Sequence, residues 1–136
     1  MRAVVDTNIL VSGIFWAGKP GDILKSWRLS KFDIFATVDI LEEYIRVLSK
    51  VGKHEPDLVE DWVSFLLQHL ILVEKSVTLR DCRDCNDNMF LECAVSASAD
   101  CIVSGDADLL VLKNIQGIPI LTATKFLNLL ITALSP

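Results

Sequence analysis

Met1-Arg2-Ala3-Val4-Val5-Asp6-Thr7-Asn8 decides how the rest of the chain is read. Arg2 to Val5 has the look of a short buried β-strand, β-branched and apolar, with no polar alternation. A carboxylate, Asp6, stands at its end, followed by two residues suited to a turn. In an open parallel α/β sheet, ligands sit in the crevice beyond the carboxyl ends of the strands, so Asp6 lies where a site would be. The plainer alternative is that Asp6 only starts a turn. The remaining chain has to separate the two.

Outward from this strand, helical and extended patterns alternate. Ile9 to Trp16 starts helical and should break near Ser12-Gly13, and Ala17-Gly18-Lys19-Pro20-Gly21 reads as a loop. Asp22 to Leu29 is expected as a helix and Phe32 to Ala36 as a strand. Thr37 suits the N-cap of a helix running to about Lys50, with Leu41, Tyr44, Ile45 and Leu48 inward. Pro56 opens another helix to about His69, whose expected inner face is Leu58, Val59, Trp62, Val63, Leu66 and Leu67. Ile71 to Val73 is a candidate short strand. The polar run from Asp81 to Asn88 precedes a helix from about Asp87 to Ala99, with Phe90, Leu91, Ala94, Val95 and Ser98 inward. Cys101 to Ser104 is a further buried strand, followed by Gly105-Asp106-Ala107-Asp108 and a short helix. Ile118 to Leu121 is expected as a strand, with Pro119 marking an edge or a strand start, and Thr122 to Leu134 as a terminal helix. This alternation predicts an α/β fold, a three-layer α/β/α sandwich around a mostly parallel sheet of four to five strands.

Acids recur at informative places. Asp6 and Asp106 both follow apolar strands, so one edge of the sheet can hold both. Glu43 lies at the margin of its helix's apolar face, where an ordinary surface ion pair with Arg46 or Lys50 is the alternative. Asp87 shares the face of Phe90 and Leu91 and is costly to bury without a partner. Four carboxylates sharing one crevice cannot all ionise without a cation. Hard oxygen ligands select Mg²⁺ or Mn²⁺. Such ions activate water and stabilise charge on a leaving oxygen, which makes phosphodiester hydrolysis the natural reaction class. No Ser-His-Asp arrangement is visible.

Bulk properties bound the reading further. At 136 residues, 51% apolar and 23% charged, with mean hydropathy +0.43, the chain can fill the core of a single domain spanning 1–136. Its apolar runs stop well short of the roughly 18 residues a membrane span needs, and no secretory signal is visible, so a cytoplasmic location is expected. Net charge is −5, which argues mildly against a broad nucleic-acid surface. Yet residues 1–53 carry +2 and residues 54–136 carry −7. From the more basic part, Lys19, Lys25, Arg28, Lys31, Arg46 and Lys50 are hypothetical phosphate contacts. Cys82 and Cys85 have the CxxC spacing of zinc or redox sites. With no second Cys or His pair suitably spaced, reduced structural cysteines are the better account.

Four stretches then carry a family resemblance: Asp6-Thr7-Asn8, Thr37-Val38-Asp39-Ile40-Leu41-Glu42-Glu43, Asp84-Cys85-Asn86-Asp87-Asn88-Met89-Phe90-Leu91 and Ser104-Gly105-Asp106-Ala107-Asp108-Leu109-Leu110. Together and in this order they resemble the PIN-domain (PilT N-terminus-like) ribonucleases, most nearly the PIN toxins of prokaryotic toxin–antitoxin pairs. The resemblance implies a PIN-like fold and a metal-dependent endoribonuclease acting with one or two Mg²⁺ or Mn²⁺ ions. It implies Asp6, Glu43, Asp87 and Asp106 as the catalytic, metal-binding acids, with Asp108 as a further acid beside the fourth. Asn8 and Ser104 match positions that orient the first and fourth acids, and Asp84 is a lesser candidate that suits helix capping. It further implies an RNA substrate, a homodimer and a small cognate antitoxin. One departure is Cys85, where relatives often carry Pro.

Two other classes fit parts of the chain. A different Mg²⁺-dependent phosphotransfer protein, a phosphatase or receiver-like domain, would need a second Asp where Asn8 stands, or an acceptor Asp on the third strand. A non-catalytic PIN-like module for RNA or protein binding predicts missing acids, yet all four positions are filled.

Overall fold

Strands form at the densest apolar runs, and helices cover them. The computed structural model describes residues 1–82 and 85–134. In chain order the elements are β1 (Arg2–Val5), α1 (Thr7–Phe15), α2 (Gly18–Arg28), β2 (Asp33–Ala36), α3 (Val38–Val51), α4 (Pro56–His69), β3 (Ile71–Leu72), a 3₁₀ turn (Cys85–Asp87), α5 (Asn88–Ala97), β4 (Cys101–Val103), α6 (Ala107–Leu110), β5 (Asn114–Ile115), β6 (Ile118–Leu121) and α7 (Ala123–Leu134). The sheet order is β3-β2-β1-β4-β6-β5, and every pairing is parallel except β5 with β6. Ala3, Val4 and Val5 of β1 and Cys101, Ile102 and Val103 of β4 are fully buried. Strands covered on both faces need no polar alternation, which is why these read as continuous apolar runs. The architecture is the expected three-layer α/β/α sandwich. No helix among the described residues is long and apolar enough to cross a membrane.

The sheet has one strand more than the four to five expected. Asn114–Ile115 folds back on β6 through Gln116 and Gly117, both at positive φ (49° and 84°), the backbone of a tight hairpin turn. Pro119 therefore does not mark an edge: β6 lies between β4 and β5. Two loop signals were also helix. Helix α1 runs unbroken through Ser12-Gly13, because Gly13 is where α2 crosses it. A Cβ there would come within 2.7 Å of the Pro20 carbonyl oxygen. Helix α2 starts at Gly18 rather than Asp22, and Pro20 is tolerated because first-turn N–H groups have no intrahelical partner.

Helix α3 is anchored as its sequence suggests. The Thr37 hydroxyl accepts the Ile40 N–H at 3.4 Å, Asp39 sits in the first turn, and the buried Tyr44 hydroxyl donates to the Val5 carbonyl at the end of β1. Two inner faces are narrower than the spacing predicts. On α4 only Leu66 is buried, while Leu67 is 62% exposed. Ser98 is the exposed left-handed residue that closes α5 (φ 51°). Glu92 of α5, unnoticed in the sequence, is buried instead. Its carboxylate accepts the Leu79 N–H at 2.8 Å and faces Lys75 at 3.9 Å, tying down the extended segment before the 3₁₀ turn.

The narrow buried face of α4 is measurable. Leu66→Ala should cost about 2–5 kcal/mol of unfolding free energy in urea, whereas Leu67→Ala should stay within about 0.5 kcal/mol. Equal losses would mean that α4 buries the wider face.

Candidate active site

Parallel pairing of β1 with β4 places Val5 opposite Val103, and the Asp6 N–H donates to the Val103 carbonyl at 3.0 Å. The residues just past both strand ends therefore meet. Asp6 is 3% exposed. One of its oxygens, Oδ1, accepts the Ile9 N–H at 2.9 Å, capping α1, and the other accepts the Ser104 hydroxyl. Asp6 thus caps the α1 turn and lines the cleft as well. Ser104, fully buried, also accepts the Asp106 N–H on its Oγ at 2.9 Å. A single hydroxyl orients the first acid and the backbone of the fourth. Asp106 in turn caps α6 by accepting the Asp108 N–H at 2.8 Å.

Burial pushes the Asp6 carboxyl up from its ordinary value, and the charge of Asp106 adds to the rise. Hydrogen bonds from Ser104 and from the Ile9 and Gly105 backbone oppose it. A buried carboxylate held by this many donors still favours a cation beside it.

Asp87 ends the 3₁₀ turn and makes no side-chain cap to α5. Its carboxylate, with those of Asp106 and Asp108, offers oxygens that all lie within 4.8 Å of one another. Cys82 is packed behind them, its Sγ 3.9 Å from Asp87 Oδ2 and 3.4 Å from the Asp108 carbonyl oxygen. Asn88 holds the Cys82 backbone through bonds of 2.8 and 3.3 Å. Neither contact was legible in the sequence, since both depend on Cys82 coming to lie against Asp87, Asn88 and Asp108. Glu43 is separately held, accepting the Thr7 hydroxyl at 2.9 Å and the Arg46 guanidinium at 3.0 Å. The ordinary ion pair considered for Glu43 therefore exists, but it lies inside the cleft. A surface pair three or four residues apart on a helix is worth only about 0.2–0.5 kcal/mol.

A cleft of about 260 Å³ is lined by Asp6, Glu43, Asp87 and Asp106, with Thr7, Asn8 and Arg46 among the other residues of its wall. Four carboxylates from four separate elements thus share one cavity, and Asp108 joins Asp87 and Asp106 at its side. All the donors are hard oxygens, and the residues present fit a Mg²⁺ or Mn²⁺ ion. Asn8 is exposed on the wall, and no hydrogen bond links it to Asp6. Asp84 lies outside the described residues, as does the side chain of Cys85. Among the described residues no Cys or His joins a metal-ligand group. Cys93 and Cys101 are buried thiols whose burial pushes each up to about 12, which suits inert packing.

The six cations proposed from sequence do not converge. Arg46 alone among them lines the cleft. Lys31 precedes β2, whose first residue, Asp33, pairs with Arg2 at the amino edge of the sheet, opposite the acids. Lys50 lies at the far end of α3 from Thr37. Arg28 stacks on Trp62 and Phe65 of α4, at 5.3 and 5.2 Å from the ring centres. Lys25 borders the groove between α2 and Trp62, and Lys19 donates to the Thr124 hydroxyl at 2.8 Å.

Fold and cleft define an α/β sandwich with an oxygen-rich acidic site at the carboxyl edge of its parallel strands. The model of the PIN domain matches residues 2–108, which include every acid of the cleft, and the chain belongs to the PIN-domain family. No curated protein matches the chain at a significant level. Among solved structures it is similar to that of VapBC2 from Rickettsia felis bound to a DNA fragment from their promoter. That match has a TM-score of 0.63 at 16% identity, covering 90% of this chain and 98% of that one. At this identity the likeness is one of fold.

Ser104→Ala tests the central hydrogen bond. Without that donor, the Asp6 carboxyl should titrate at still higher pH than in the native protein, read by NMR of the labelled side chain. The folded chain would then hold the proton to higher pH than the unfolded chain, so the variant should lose stability as pH rises above the ordinary carboxylate range. An unmoved Asp6 titration would show that the bond carries little.

Proposed function

We propose that the protein is a Mg²⁺- or Mn²⁺-dependent endoribonuclease of the PIN-domain family, the toxin of a toxin–antitoxin pair. One observation carries this reading: four carboxylates from separate elements line one cleft, with Asp87, Asp106 and Asp108 close enough to share a cation. Asp6, Glu43, Asp87, Asp106 and Asp108 would hold one or two ions. When bound, such an ion lowers the pKa of water and offsets charge on phosphate oxygens. The chain's own part is to hold the acids still before the ion arrives. Ser104 orients Asp6, the helix caps orient Asp6 and Asp106, and Arg46 offers the cleft's cationic contact for a backbone phosphate.

The four motifs named from sequence support RNA as substrate and a homodimer, and with the likeness to the VapBC2 structure they support a small antitoxin partner. Membership in the PIN family disfavours a phosphatase or receiver-like role. A purely binding module would not need the carboxylates, which repel each other in the absence of a cation.

Purified protein should cleave RNA with Mg²⁺ or Mn²⁺ and not with EDTA. Asp87→Asn and Asp106→Asn should each reduce the rate by about 100-fold or more. Calorimetric titration with Mn²⁺ should lose its heat in the same variants. Intact RNA across structured and single-stranded substrates, together with no metal uptake, would reject the nuclease reading.

RNA contact is tested separately in Ca²⁺ or EDTA. Arg46→Ala should weaken RNA binding and lower the slope of log affinity against log salt by about one. Lys31→Ala, on the opposite edge, should leave that slope unchanged. The reverse ranking would place the RNA on another face.

A further inference from the structure

Glu43 differs from the other acids in how it is held. Asp6 and Asp106 are strand-end residues whose oxygens cap helices within their own segments. Glu43 comes from the middle of α3 and reaches the cleft as a long side chain with three rotatable bonds, so it needs external partners to keep one orientation. It has two, and they are unlike. Arg46 lies on the same helix, its side chain 65% exposed. Thr7 lies on α1, 7% exposed and adjacent in the chain to Asp6, and its hydroxyl donates to Glu43 Oε2 at 2.9 Å.

The contrast has a functional consequence. Arg46 is also the cleft cation best placed for a phosphate, and an incoming polyanion competes with Glu43 for it. Thr7 cannot leave. Its backbone is in the first turn of α1, directly after the Asp6 cap, and Tyr44, next to Glu43, is bonded to Val5 at the root of the same turn. Two adjacent residues of α3 are thus fastened to two nearby residues flanking Asp6.

From this geometry we infer that Thr7 is a positioning residue: its hydroxyl fixes the Glu43 carboxylate against the Asp6 segment and keeps it facing the cleft when Arg46 turns to the substrate phosphate. The inference rests on the nuclease reading, because it assigns Thr7 a part in that same site. It concerns the hydroxyl and not the bulk of the side chain. A simple packing role at a buried threonine would depend on the methyl group and be indifferent to the hydroxyl.

Thr7→Val and Thr7→Ser separate these roles. Valine keeps the shape and removes the donor, and serine keeps the donor and removes the methyl. The readouts are thermal unfolding, Mn²⁺ affinity by calorimetry without RNA, and RNA cleavage. Thr7→Val should stay folded and lose about 10–100-fold in Mn²⁺ affinity or cleavage rate, while Thr7→Ser stays within about threefold of the native protein. The loss should vanish in a Glu43→Gln background, since a residue acting through Glu43 has nothing further to remove. Native Mn²⁺ affinity and cleavage in Thr7→Val, full additivity with Glu43→Gln, or an equal loss in Thr7→Ser would each overturn the assignment and leave the nuclease reading standing. Should Thr7→Val fail to fold, Thr7→Ser decides alone: native function upholds the hydroxyl, and lost function in a folded protein rejects it. Absence of Mn²⁺ binding and cleavage in the native protein would overturn both.

Discussion

The register of β1 against β4, Val5 beside Val103, is the constraint from which the acidic cleft follows. It delivers Asp6 and Ser104 to each other immediately beyond the last paired residues, and the Ser104 hydroxyl then ties Asp6 to the backbone of Asp106. A slip of one residue would turn every side chain of β4 to the opposite face and remove the serine from the acid. Close packing resists that slip: Ala3, Val4, Val5, Ile102 and Val103 are fully buried and differ in size, so exchanging faces would leave voids or clashes. Packing of the sheet interior and the electrostatics of its edge are the same restriction seen at two places.

Around that edge, like charges are gathered at a cost. Asp6 illustrates it: burial and the nearby Asp106 push its carboxyl up, and a serine hydroxyl and backbone amides pull it back. The same groups that lessen the repulsion also fix direction, since each helix cap or hydrogen bond leaves an oxygen with little freedom. Glu43 shows a second solution, with a flexible side chain steadied by one buried hydroxyl and one exposed guanidinium. A site assembled from strand tips, a 3₁₀ turn and a helix middle is rigid only because each contributor is anchored separately.

Cations distribute by a different logic. The more basic amino-terminal part suggested a polyanion-binding lobe, but chain proximity is not spatial proximity in a βαβ fold. A helix following a parallel strand returns toward the opposite edge of the sheet, so residues late in the helix, or just before the next strand, end up far from the strand tips. Lys31 and Lys50 lie there, Arg28 is engaged with aromatic rings, and Arg46 remains in the cleft because it is one turn from Glu43.

Several features were readable in the amino-acid order alone. The apolar runs of β1 and β4 each end in an acid, Thr37 suits a cap, and the alternation of strand and helix implies the layered fold. These are local properties, set by side-chain chemistry and spacing along a few turns of chain. The family motifs added the ordered set of acids and the serine before Asp106. What only the tertiary structure decided is which groups meet. Glycine at 13 marks a helix crossing rather than a break, because α2 passes so close that a Cβ there would come within 2.7 Å of the Pro20 carbonyl oxygen. Thr7 bonds Glu43, Cys82 packs behind Asp87, and Glu92 clamps the segment at Leu79. Those pairs are separated by 36, 5 and 13 positions, and no periodicity of a single element encodes a contact between two elements. Such contacts are fixed by sheet order and helix packing, which minimise exposed apolar surface over the whole chain at once.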